Sequence, residues 1–70
     1  MTKKALEKLS ARQRNALEIM RADYKRFKEN GQHRYLDEQR SRISGFLDGL
    51  QMAEVLTLTE RRLLFCYCTL

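Results

Sequence analysis

The chain has no proline at any of its 70 positions, only three glycines, one histidine and two cysteines. Each shortage removes a class of explanation. Without proline, glycine and turn-forming polar residues are left to end the helices. Cys66 and Cys68 stand two apart, too close to staple distant elements, so no disulfide framework is expected. A CxC pair with His33 as the sole imidazole also lacks the four suitably spaced ligands of a structural zinc site. Long apolar runs are missing as well. The longest, LLFCYCTL, falls far short of the roughly 20 residues that span a bilayer, and nothing after MTKK reads as a secretory signal. The expectation is a cytoplasmic chain with reduced thiols and no membrane role.

Catalytic machinery is equally scarce. Neither cysteine has a histidine near it in sequence, and there are no paired carboxylates, phosphate-cradling glycine loop or EF-hand spacing. The chain therefore reads as a non-enzyme, with no catalytic residue, metal ligand or cofactor to nominate. His33 follows Gly31 and reads as a solvated loop residue; Cys66 and Cys68 read as small apolar side chains of the core.

What the chain does have is charge, and it is unevenly placed. Fourteen Lys and Arg outweigh nine Asp and Glu, for a net charge of +5. Residues 1–31 hold nine basic and four acidic side chains, whereas residues 32–70 hold five of each. The whole excess belongs to the first segment, which marks it as the surface for an anionic partner.

The apolar residues follow a helical period. Leu6, Leu9, Gln13, Ala16, Leu17, Met20, Tyr24 and Phe27 recur at steps of three and four, predicting a helix over about residues 3–29. Lys25, Arg26 and Lys28 followed by Asn30-Gly31 form its terminator, with cations over the last carbonyls and then a residue suited to the left-handed conformation. Its start has two candidates: Thr2, or a capping box between Ser10 and Gln13. Leu36, Ile43, Phe46, Leu47, Leu50 and Ala53 share one stripe and predict a second helix over about residues 35–52. Gly45 and Gly49 lie inside it, each costing about 1 kcal/mol relative to alanine unless close packing recovers it. Thr57-Leu58-Thr59-Glu60 fits another capping box and opens a third helix over about residues 58–69. A β-hairpin is the rival there, because Phe, Cys, Tyr and Thr also suit strands.

Two stretches carry family resemblances. Leu47, Leu50, Leu56, Thr57 and Glu60 resemble the pattern of SHOCT-type short helical domains, with Glu54 where that pattern has a turn glycine. This resemblance implies a helix–turn–helix unit with a role in oligomerisation. Leu9-Ser10-Ala11-Arg12-Gln13-Arg14, continuing into Leu17, Glu18 and Ile19, is similar to the first helix of winged helix–turn–helix repressors. The recognition helix of that family has no counterpart downstream.

The fold class expected is all-α: an antiparallel helical hairpin plus a short C-terminal helix, in one domain. A 70-residue chain buries only about 60% of its unfolded surface, so the leftover apolar edge points to completion by a twin subunit. Leu36, Ile43, Phe46, Leu50 and Leu63 are the expected core. Arg14, Arg21 and Lys28, spaced seven apart, share one flank of the first helix, with Lys4 and Lys25 on the adjacent line. Glu7 and Glu18 lie in the same two lines and lower the field. Arg14, Arg21, Lys25 and Lys28 are the candidate contacts of a small interaction or adaptor protein. Its expected partners are a second copy of itself (a homodimer), an acidic protein, or both. A DNA-binding regulator that touches phosphates through the same flank is the alternative, and a small inhibitor encoded by a phage or plasmid is a further one.

Overall fold

A computed structural model describes residues 2–70 and shows an all-α chain of four helices: α1 Thr2–Glu7, α2 Ala11–Glu29, α3 His33–Met52 and α4 Leu58–Cys68. None of these helices is long and apolar enough to cross a membrane. The single helix expected over residues 3–29 is divided. Ser10 is the divider: its Oγ accepts the Gln13 amide at 3.1 Å, and its own amide donates to Gln13 Oε1 at 2.8 Å. This capping box satisfies free amides at the start of α2, so the helix begins afresh at Ala11 and α1 becomes a separate piece.

Helix α2 ends where its sequence says it should. Gly31 adopts φ +67°, its amide bonds the Lys28 carbonyl at 3.3 Å, and the Gln32 amide bonds the Phe27 carbonyl at 2.9 Å. This is a Schellman termination. The turn is short enough to fold α3 back antiparallel on α2, and side chains join the pair at several points. Phe27 meets Tyr35 with ring centroids 5.4 Å apart, Arg40 Nη2 donates to Tyr24 Oη at 3.0 Å, and Gln39 Nε2 donates to the Met20 carbonyl at 3.0 Å. Gln39 is buried on this seam, and its bond to a backbone acceptor offsets the cost of desolvating the amide.

Helix α3 ends in a second Schellman turn, but with Glu54 at the left-handed position (φ 63°); the Val55 amide reaches the Leu50 carbonyl at 2.9 Å. Thr57 and Glu60 then form the expected capping box, with Thr57 Oγ1 accepting at 3.2 Å and Glu60 Oε1 accepting at 2.8 Å. The segment after it is helix α4, not a hairpin.

The core runs through all four helices. Ala5, Leu9, Leu17, Tyr24, Leu36, Ile43, Leu47, Leu50, Leu56, Leu64 and Cys68 are buried in one cluster, with Phe46 and Phe65 packed against it. Leu36, Ile43 and Leu50 lie where the sequence placed them; Phe46 and Leu63 are half-buried. Part of the apolar surface that pointed to a twin subunit is covered by α1 of the same chain. Cys66 is exposed, against its expected place in the core, because alternate positions of a helix cannot both face inward.

Candidate interaction surface

The four basic side chains singled out on α2 have three different fates. Arg21 is drawn into the structure. Its guanidinium lies 4.3 Å from the centroid of the Tyr67 ring, Nε donates to the Tyr67 carbonyl at 3.2 Å, and Nη1 is 3.8 Å from Glu18 Oε2. The Tyr67 hydroxyl donates to Glu18 Oε1 at 2.6 Å, so Glu18, Arg21 and Tyr67 form a closed set joining α2 to the last turn of α4. The neighbouring Glu18 carboxylate, helped by burial, pushes the Tyr67 phenol above its ordinary value of 10.0.

Arg14 is exposed and turns back toward α1, with Nη2 at 3.5 Å from the Leu9 carbonyl. Lys25 and Lys28 project into solvent and make no ion pair among the described residues. Arg14, Lys25 and Lys28 remain on one side of a continuous helix, spread over roughly 21 Å at 1.5 Å per residue. Glu18, which interrupts this line in sequence, is engaged by Arg21 and Tyr67. Glu7, expected in the same line, sits on α1 beyond the break at Ser10 and is not aligned with α2. The same break detaches Lys4 from the Lys25 line.

Basic side chains outside the four nominated contacts are exposed as well. His33, read from the sequence as a loop residue, opens α3 and is exposed, and Arg34 beside it stands at the end of the hairpin where Lys28 lies. Lys3, Lys4, Arg12, Arg42 and Arg62 are also exposed and without ion pairs among the described residues. By contrast Lys8, Arg26, Arg40 and Arg61 are matched to Glu60, Asp23, Asp37 and Asp48. Arg61 also donates to Ser44 Oγ at 2.6 Å and ties α4 to α3. The signal that separates the two groups is an acid at i−3 for Arg26 and Arg40; for Lys8 and Arg61 the acid comes from another helix.

The thiols differ. Burial pushes Cys68 from its ordinary 9.0 up to about 12, which keeps it protonated and poorly nucleophilic, whereas Cys66 faces solvent. No pocket opens among the described residues, and no three His, Cys, Asp or Glu side chains among them converge as a metal site. Comparison with family models, with curated proteins and with solved structures finds no match to this chain.

Proposed function

We propose that the chain is a small non-catalytic binding module that an acidic partner protein recognises through Lys25, Lys28 and Arg14. The observation that carries this reading is the division of the charge. Among the described residues, every cation that bridges two helices is neutralised or packed, while the nine other Lys and Arg, against four Asp and Glu in no ion pair there, face water. Such an excess speeds encounter with an anionic surface and fixes orientation more than it adds affinity. The test is crosslinking of the tagged chain in extract of its own host, identification of the attached protein, and repetition with Lys25→Glu/Lys28→Glu. The reading expects an acidic protein whose yield falls at least tenfold with the double variant and with added salt. An unchanged yield overturns it.

A DNA-binding reading has its own support: with Glu18 engaged, the α2 flank offers Arg14, Lys25 and Lys28 with no free acid between them. Three phosphate contacts give a slope of about −3 in log K against log salt. Absence of duplex binding at low salt eliminates this alternative.

A further inference from the structure

We infer that α1 is an exchangeable element, and that two copies of this chain pair by each docking its α1 on the α4 of the other. Three observations at different places on the molecule lead there. First, nothing in the chain forbids one long helix from residue 2 to residue 29. Lys8 and Leu9 are good helix formers, no proline or glycine intervenes, and the apolar stripe of Leu6, Leu9, Ala16, Met20 and Tyr24 runs through the break in register. Second, the break is held by local bonds that a straight helix replaces: the two of the Ser10–Gln13 box and those from the Lys8 and Leu9 amides to the Ala5 and Leu6 carbonyls. Ser10 has φ −65° and ψ 165°, so its φ is already helical and a rotation about ψ alone restores a helical residue there. No residue at the break takes a positive φ. Third, α1 has six residues, too few to persist alone, and its docking relies on Ala5, Leu9, part of Leu6 and the Lys8–Glu60 pair at 2.7 Å.

The consequence is geometric. When Ser10 straightens, α1 extends α2 and leaves its seat on α4, baring the place where Ala5 and Leu9 were buried and leaving Glu60 without its cation. The occupant that fits this seat is the α1 of a second copy, since every contact made within one chain can be made again between two. Exchange of an identical element is a low-cost route to a twofold dimer, and short hinges favour it. The lengthened helix exchanges the bonds that the Lys8, Leu9 and Ser10 amides make in the closed monomer, to the Ala5 and Leu6 carbonyls and to Gln13 Oε1, for bonds of the regular helical pattern.

The experiment uses opposed charges. Lys8→Glu and Glu60→Lys each place like charges across the α1–α4 contact, both within a chain and in a homodimer. Mixed, an exchanged heterodimer restores both pairs: the two substituted side chains meet at one α1–α4 contact, and the native Lys8 and Glu60 meet at the other. With one variant 15N-labelled, native mass spectrometry and sedimentation of the mixture are expected to show a two-chain species absent from either variant alone. A mixture that remains monomeric up to a working concentration of about 0.5 mM overturns the proposal, because pairing of two chains is driven by their concentration. A second pair keeps it falsifiable if a charge variant unfolds: Ser10→Ala loses the cap but suits a helix interior, whereas Ser10→Gly keeps a tolerable cap and suits it poorly. With two hinges per dimer, the interior preference alone makes Ser10→Ala dimerise about 30-fold more tightly than Ser10→Gly, and the lost cap widens that ratio. Equal dimerisation constants refute the exchange.

Discussion

Arg21 lies over the ring of Tyr67 at 4.3 Å and donates to the carbonyl of the same residue at 3.2 Å, so one side chain grips the last turn of α4 by its face and by its backbone. A guanidinium can do both because it is planar and carries donors at its edge; an ammonium cannot. Arg21→Ala should therefore destabilise the fold by about 1–2 kcal/mol, the loss of one hydrogen bond and one cation–π contact. Lys25→Ala, four residues on and in water, should stay within about 0.5 kcal/mol of the parent. Urea unfolding of the two variants measures this contrast, and equal midpoints would contradict the assigned role.

The alkaline limit of stability should lie in α4. Cys68, pushed from 9.0 to about 12 by burial, and Tyr67, raised by Glu18, are acids whose folded-state pKa exceeds the unfolded value. Folding favours their neutral forms. For Cys68 that stabilisation is complete below about pH 9 and is lost as pH rises through its folded value, by up to about 1.4 kcal/mol per pH unit; Tyr67, partly exposed and screened by solvent, adds a smaller loss of the same sign. Tm should decline between pH 9 and 11, and Cys68→Ala, less stable at pH 7, should decline less steeply. Parallel pH profiles would rule out the thiol as the source.

At the acid end the sign reverses. Glu60 sits below its ordinary 4.5, first because Lys8 donates to it and then because the Thr57 amide does. A depressed carboxylate stabilises the fold above its unfolded pKa, and the contribution disappears as pH falls through the lowered folded value. Lys8→Met should lower Tm at pH 6 and flatten its fall between pH 5 and 3. A melting series over that interval with the two proteins still a constant distance apart would exclude the pair.

Local chemistry was legible where it closes on itself within a few residues. Ser10 with Gln13 and Thr57 with Glu60 stand at the spacing a capping box needs, and Asn30-Gly31 ends a helix with the residue that tolerates a positive φ. What could not be read is whether Ser10 acts as a cap or as one more helical residue, because the apolar stripe passes through it unbroken. That choice also involves contacts distant in sequence: Ala5 and Leu9 are buried in the core, and Lys8 donates to Glu60, 52 positions away. The basic flank shows the same limit. Arg14, Arg21 and Lys28 are equivalent by period, and only the place where α4 stops makes Arg21 a packing residue and leaves Lys28 in solvent.

Glu54 offers the simplest gain in stability. It holds φ 63° at the end of α3, where a side chain with a Cβ costs about 1–2 kcal/mol and its negative charge faces the negative end of the helix dipole. Glycine removes both penalties but loses more backbone freedom on folding, roughly 0.5–1 kcal/mol of offset. Glu54→Gly should thus raise stability by about 0.5–1 kcal/mol, a few degrees in Tm for a domain of this size. Glu54→Ala separates the two causes: it abolishes the charge and keeps the strained backbone, so it should recover only the smaller electrostatic part. If alanine stabilises as much as glycine in the same thermal melt, the left-handed turn carries no strain and the charge alone explains the gain.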